Sequence, residues 1–326
     1  MSAKTGLLQL LEESNGSYVS GETIAANLSV SRNAVWKAIK ALRAEGYEID
    51  GATNRGYRLS SRGNSITQAG IYSNMKNEGF FSIDIRKSVT STNTILRELA
   101  VKGAPEGYVV VAEEQTAGKG RMGRSFFSPP LHGVYFSLLL KPEIGNPDVS
   151  LITSAAAVAA ARAIEDIFNR KVGIKWVNDL YLDEKKICGI LTESTFSMES
   201  GMIENAVLGI GINVTKPSGG FPSELKGSIT AVMGNDPCSD GERCRLIASV
   251  LDEFLGFYNE LSARKFLSEY RARSILLGRD IYVMSSGGKR SARALDIDDQ
   301  CRLIIRYENG ETEALGWGEV SVKLSG

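Results

Sequence analysis

The chain has 326 residues, more than one hydrophobic core ordinarily serves, so two or three domains are expected. Its 38 Lys and Arg balance 38 Asp and Glu, which excludes attraction of nucleic acid or anionic membrane through overall charge; any such contact has to be local. His132 is the single histidine, and Cys188, Cys238, Cys244 and Cys301 show no C-x-x-C spacing, so a zinc site or a cysteine-histidine nucleophile pair has little to draw on.

The opening residues carry no long apolar stretch, and no export signal is expected there. Leu7, Leu8, Leu10 and Leu11 then give a first helix its apolar face. Ser20 precedes a short second helix with Ile24, Ala25 and Leu28, and Ser29 and Val30 make a tight turn. Ser31 is placed to cap a third helix, because a serine oxygen accepts from an unpaired first-turn amide. That helix turns Val35, Ala38, Ile39 and Leu42 inward and leaves Arg32, Asn33, Lys37 and Lys40 on its other side. Tyr47 and Ile49, then Tyr57 and Leu59, read as two strands joined by residues 51–56. The sum over residues 1–62 is a winged helix-turn-helix.

Within those residues eight Lys and Arg face six Asp and Glu, a difference of two, so nonspecific phosphate attraction is modest. Sequence reading falls to the third helix, with Asn33 and Lys37 for base edges and Arg32 and Lys40 for phosphates. Arg55 in the wing is the candidate for a groove. One recognition helix reads a short half-site, so operator DNA would be bound by a dimer on a palindrome.

Residues 60–65 are polar and suit a linker. From 66 to 270 strands and helices mix, with β-branched strands at 107–112 and 134–140, a hairpin around Asp183 and Glu184, and a buried strand at 206–214. The expectation is an α+β domain with a mixed sheet. The alanine-rich helix at 151–168 carries Arg162, Glu165 and Asp166, too many charges for a membrane span, so the chain is expected to stay in the cytoplasm. From 271 to 326 short strands recur with turns at 286–289, 298–300 and Asn309-Gly310, which predicts a small β-barrel.

The run from Gly118 to Arg124 spells G-x-G-x-x-G and nearly spells a P-loop. Both readings need a helix to start at once, and Pro129 and Pro130 close behind forbid it. What remains is a glycine-rich loop with Lys119, Arg121 and Arg124, suited to holding phosphate through backbone amides and guanidinium groups. Three glycines make it costly to order, so it is expected to lack fixed form without ligand.

The loop GKGRMGR, the upstream Ser91-Thr92-Asn93 and Gln115-Thr116, then Lys175-Trp176-Val177-Asn178-Asp179, Lys186 within KKICGIL, and Gly209-Ile210-Gly211-Ile212-Asn213 together resemble the bacterial biotin protein ligases. The added helix-turn-helix resembles the members that also repress biotin synthesis genes. The resemblance implies a biotin/lipoate ligase-like central domain and a C-terminal SH3-like barrel. It further implies two reactions: biotin and ATP give biotinyl-5′-AMP, and a lysine of a biotin carboxyl carrier protein then takes the biotinyl group.

By the same resemblance Lys186 and Arg121 are the catalytic candidates. Ser91, Thr92, Asn93, Gln115, Lys119, Gly120, Arg121 and Lys186 would bind biotin. Arg121, Arg124, Asn178, Asp179, Gly209, Gly211 and Asn213 would bind the nucleotide, the glycines by letting adenine approach the backbone. Asp179 is the candidate for Mg²⁺, and biotinyl-5′-AMP would act as corepressor by promoting a homodimer. Val177 stands where relatives commonly carry proline, and Lys119 where many carry arginine; lysine keeps the charge but loses the fork. Two other readings stay open at this point, a ligand-sensing repressor without turnover and a lipoate ligase relative.

Overall fold

A computed structural model describes residues 3–14, 16–44, 47–53, 55–61, 66–142, 149–196, 203–285, 288–316 and 318–322. In the first module, α1 (Ala3–Glu13), α2 (Gly21–Asn27) and α3 (Arg32–Ala44) precede an antiparallel pair, β1 (Glu48–Ala52) and β2 (Gly56–Ser61). The expected cap forms, Ser31 Oγ accepting from Ala34 N at 3.2 Å, and Ser20 caps α2 as well, its Oγ accepting from Thr23 N at 3.0 Å. Leu7, Leu8, Leu11, Ile24, Val35, Ile39 and Leu42 bury together beneath Tyr47, Ile49 and Leu59, so the helical spacing read from the sequence becomes a core of its own. Most of the expected linker, residues 62–65, lies outside the described residues.

This first module also packs against the start of the central domain. Thr67 caps α4 (Gln68–Tyr72) through Gly70 N, and its hydroxyl also hydrogen-bonds Tyr47 of the wing. Ala69 of α4 joins the core of the first module.

The central domain continues in order: β3 (Ser82–Val89), α5 (Thr92–Val101), β4 (Tyr108–Gln115), β5 (Gly133–Leu140), α6 (Val149–Phe168), β6 (Gly173–Lys175), β7 (Asp179–Leu182), β8 (Lys185–Phe196), β9 (Ile203–Asn213), α7 (Asp240–Tyr258) and α8 (Leu267–Ala272). Its seven-stranded sheet has the order β3-β4-β5-β9-β8-β7-β6, parallel only at β3 with β4. Asp183 and Glu184 both take positive φ, which closes the β7–β8 hairpin with the two-residue turn that matches strand twist.

Strand alternation sends Val109, Val111, Leu138, Leu140 and Leu208 to the main core with α6 and α7. Val110, Leu139 and Val207 point the other way, where Leu96 of α5 covers them. All of β5 is therefore buried, as the apolar run GVYFSLLL requires of a strand covered on both faces.

Five further strands form the C-terminal module: β10 (Asp280–Ser285), β11 (Gly288–Ile297), β12 (Leu303–Tyr307), β13 (Thr312–Leu315) and β14 (Glu319–Val322). All their pairings are antiparallel, in the order β13-β12-β11-β10-β14. Their inner residues, among them Ile281, Ala294, Leu303 and Ile305, continue the core of the central domain. Trp176 Nε1 donates to Cys301 O at 2.8 Å and Tyr270 Oη to Val177 O at 2.9 Å, tying this module and α8 to the segment 175–179.

Behind the sheet, Arg273 makes a two-pronged bond to Glu165 at 2.6 and 2.8 Å and shares Glu269 with Arg162. The Arg273 bond holds the Glu165 carboxyl below its ordinary value of 4.5; burial would raise Glu269, but the bonds from Arg162 and Arg273 outweigh it and lower it too. Both folded values lie below the unfolded one, so the stabilisation is present above about pH 4.5 and is lost as pH falls through the lowered values. Arg273→Gln is expected to lower the thermal midpoint at neutral pH. The gap to the unaltered protein should shrink as pH drops below about 4.5, read by thermal unfolding across the acid range; a gap that stays constant to the lowest pH would contradict the assignment.

Candidate functional site

The sheet face covered by α5 at one end is left open beyond the start of that helix. Register explains the hollow. On β9, Leu208, Ile210 and Ile212 fill the main core while Gly209 and Gly211 face the other side. Ser137 of β5 stands opposite Gly209, Tyr135 opposite Gly211, and Gly189 of β8 opposite Gly211 from the far side. Gly189, Gly209 and Gly211 make a floor, and above it lies a cavity of about 310 Å³.

Every ligase-site candidate named from the sequence lines this one cavity. Ser91, Thr92 and Asn93 arrive at the N-terminus of α5, all buried. Ser91 takes the extended backbone of a cap residue, yet its side chain makes no cap hydrogen bond, which leaves the hydroxyl at the cavity wall. Gln115, at the end of β4, accepts from Thr92 N at 2.9 Å and donates to Ser128 Oγ at 2.8 Å.

The glycine-rich loop is a tight turn closed by backbone hydrogen bonds. Gly120 N donates to Arg124 O at 2.7 Å, Phe126 N donates to Gly118 O at 2.8 Å, and Arg121–Gly123 makes one 3₁₀ turn with Met122 at φ 56°. No α-helix starts there, as the prolines require. Arg121 Nη1 donates to Asn178 Oδ1 at 3.2 Å, and Asn178 Nδ2 donates to Ile190 O at 2.7 Å.

Lys119, Arg121, Arg124, Lys175 and Lys186 stand on the wall against a single carboxylate, Asp179. A chain of zero net charge thus concentrates positive charge where an anion would be held. Lys186 Nζ lies 2.7 Å from Asp179 Oδ1 and 6.0 Å from the centre of the Phe126 ring. Its backbone is clasped by Ser228 O and Thr230 N, at 3.0 and 2.9 Å. Behind it, burial pushes the Cys188 thiol up, so that cysteine is an inert core residue. His132, outside the cavity lining, meets Thr215 Oγ1 through Nδ1 at 3.0 Å, and burial lowers its pKa; it lies in the loop before β5.

On the first module Arg32, Asn33, Lys37 and Lys40 are all exposed on α3, and Arg55 is exposed in the wing. Arg32 pairs with Glu22 at 3.1 Å, and Arg55 lies over the Tyr18 ring at 4.5 Å. Trp36 stands among them, 53% exposed, with Lys40 above its ring.

Comparison with known proteins matches the same three modules. Residues 85–213 match the biotin/lipoate A/B protein ligase family, residues 4–58 an HTH domain, and residues 276–323 the biotin protein ligase C-terminal domain. A bifunctional ligase/repressor of Bacillus spizizenii is 34% identical over 308 residues, covering 93% of this chain and 94% of its own length. The chain belongs to the bifunctional ligase/repressor family of biotin protein ligases. The Escherichia coli bifunctional ligase/repressor is 25% identical over 95% of this chain and 94% of its own. Among solved structures, the biotin protein ligase of Aquifex aeolicus in complex with biotin and ATP superposes with a TM-score of 0.61 at 26% identity, over 75% of this chain and 99% of that one.

The geometry also shows what surrounds the expected site residues. A Cβ on Gly209 would lie 2.0 Å from Asn93 Oδ1, and one on Gly211 would lie 2.5 Å from the Phe126 ring. The glycines seat those two side chains. Asn93, expected to face biotin, spends its amide on protein groups, donating to Glu193 at 2.8 Å and lying 2.6 Å from Ser137 Oγ. Asp179, the metal candidate, pairs with Lys186.

Sequence reasoning missed Phe126, Ser228 and Gly318 of the lining, and Ser137 and Glu193, which contact Asn93 behind it. Ser137 had a legible signal, a lone hydroxyl inside an apolar strand; the others depend on packing between distant segments. Gly209→Ala is expected to destabilise the fold by about 1–3 kcal/mol through overpacking. Asn93→Ala should relieve much of that loss in the double variant, a coupling read by denaturant unfolding of the four proteins; purely additive losses would show that Asn93 does not fill the gap.

Proposed function

We propose that this chain forms biotinyl-5′-AMP from biotin and ATP, transfers biotin to a lysine of the biotin carboxyl carrier protein of acetyl-CoA carboxylase, and represses biotin synthesis genes with the adenylate as corepressor. One observation carries the reading. The polar set 91–93 and 115, the cationic loop 118–124 and the pair Lys186–Asp179 come from separate segments and line one cavity, in a chain that matches ligase/repressors end to end.

In the first reaction the biotin carboxylate attacks the α-phosphorus of ATP and pyrophosphate leaves. Two anions must be brought together, and preorganised cations offset their repulsion and the charge that builds at phosphorus. Lys186 would exchange its bond to Asp179 for the biotin carboxylate and the adenylate phosphate. Arg121, steadied by Asn178, presents its fork to phosphate oxygens, with Arg124 beside it. Lys119 adds charge and Gly120 an amide. Ser91, Thr92 and Gln115 meet the ureido head of biotin, and Asn213 lies at the nucleotide portion. In the second reaction the carrier lysine attacks the biotinyl carbonyl and AMP leaves.

A Mg²⁺ ion fits this donor set in the usual way, one carboxylate from Asp179 with the remaining ligands from phosphate and water. Bound there, it would neutralise phosphate charge.

For repression, α3 enters the major groove of operator DNA with Asn33 and Lys37 at base edges, Arg32 and Lys40 on phosphates, and Arg55 in a neighbouring groove. A homodimer favoured by biotinyl-5′-AMP would place two such helices on a palindrome; by linkage, the dimer then binds the adenylate more tightly. The modules are taken as residues 1–62, 66–270 and 271–326. No helix among the described residues is long and apolar enough to cross a membrane, in keeping with a cytoplasmic enzyme.

Lys186→Ala should cut biotin-dependent ATP–pyrophosphate exchange by at least about a hundredfold while circular dichroism stays unchanged; near-normal exchange removes Lys186 from its role. Deleting residues 1–62 should abolish specific operator binding and leave exchange in place. Gel-shift specificity that survives the deletion would mean that the helix-turn-helix does not read DNA.

A further inference from the structure

A large aromatic side chain left in water and ringed by charge points to a partner, and Trp36 is the one aromatic among the exposed large hydrophobics of the described residues, at 53%. Its exposure follows from the helix that carries it. Val35, Ala38, Ile39 and Leu42 of α3 are buried, so the helical repeat leaves Asn33, Trp36, Lys37 and Lys40 along the outer face. Trp36 lies in the first half of α3, one turn after Asn33 and one turn before Lys40. Long helical side chains lean back toward the start of their helix. Lys40 accordingly reaches over the Trp36 ring, its Nζ 5.5 Å from the centre, and the attraction between ammonium and ring face steadies an indole that still has more than half its surface open.

The surroundings define the partner. The α3 segment contains no acidic residue, and Arg32, Lys37 and Lys40 spread positive charge along it. Charge of that kind suits the phosphates of a nucleic acid, which position a protein but carry no sequence information. The indole adds an apolar surface with a single N–H donor. In the major groove the base edges present donors, acceptors and one apolar group, the C5 methyl of thymine. Three residues advance a helix by about 4.5 Å, close to the rise of one base-pair step, about 3.4 Å. Asn33 and Trp36 therefore reach neighbouring base pairs.

We propose that Trp36 is a specificity-determining residue of this chain: its indole packs on the C5 methyl of a thymine in the major groove, beside the base pair whose edge Asn33 meets. The inference rests on the proposed operator binding and adds to it a residue and a chemical group. It also divides the labour on α3. Arg32 and Lys40 supply affinity through phosphates, and the indole supplies preference for a thymine at one position.

The test uses the full chain with biotin and ATP present and duplexes that it selects from a random-sequence pool. Thymines of a selected duplex are replaced one at a time by deoxyuridine, which removes only the methyl, and affinity is read by fluorescence anisotropy of the labelled duplex. At least one replacement should weaken binding of the unaltered chain by about fourfold, the worth of one buried methyl. Trp36→Ala should bind the thymine and deoxyuridine duplexes equally. Trp36→Phe, which keeps a smaller apolar ring, should shrink the difference without abolishing it and serves if Trp36→Ala does not fold. A substitution that weakens both duplexes by the same factor and leaves the thymine preference intact shows a merely structural role and overturns the proposal. An unaltered chain indifferent to every methyl overturns it too, and sensitivity to 7-deazaguanine that depends on Trp36 would then assign the indole N–H to a purine nitrogen. Failure of the unaltered chain to select any duplex would instead overturn the operator-binding reading on which the proposal stands.

Discussion

The pairing of β5 with β9 is the constraint on which the site depends. Antiparallel register sets Ser137 opposite Gly209 and Tyr135 opposite Gly211, and strand alternation sends Leu208, Ile210 and Ile212 to the core behind them. A slip of one residue would push those three apolar side chains into the cavity and the glycines into the core. The burial of both faces of β5 makes such a slip expensive, so the same hydrophobic packing that stabilises the sheet also holds the cavity open.

On that floor, the side chains that line the cavity are themselves held by others. Asn178 steadies Arg121, Ser128 orients Gln115, Glu193 orients Asn93, and the Ser228–Thr230 stretch clasps Lys186. Each support comes from a different segment of chain. Orientation fixed before binding reduces the entropy a ligand has to overcome. Electrostatics is equally local: charges that cancel over the whole chain gather as five cations around one carboxylate at the cavity.

The three modules share packing as well as a chain. Thr67 both caps α4 and bonds the wing tyrosine, and Ala69 lies in the core of the first module. At the other side the Trp176 indole is anchored on Cys301 O, two positions from Asn178, and Gly318 of the C-terminal module reaches the cavity wall. The segment 175–179 therefore has one end in the site and the other in the C-terminal module. One segment thus touches both the cavity and the C-terminal module.

The sequence by itself determined the winged helix-turn-helix and several strands and helices of the central domain, because these rest on short-range rules: helical spacing at Val35, Ala38, Ile39 and Leu42, the cap at Ser31, prolines that forbid a helix after Gly123; its family motifs named residues that line the cavity. The tertiary structure alone decided what the glycines at 209 and 211 are for, since the groups that fill their space come from residues 93 and 126. It also decided that Asp179 pairs with Lys186 and that Asn93 turns toward Glu193, contacts between residues whose distance along the chain carries no signal of their distance in space. Local chemistry could name the members of the site; only the register of the sheet could say which of them touch one another.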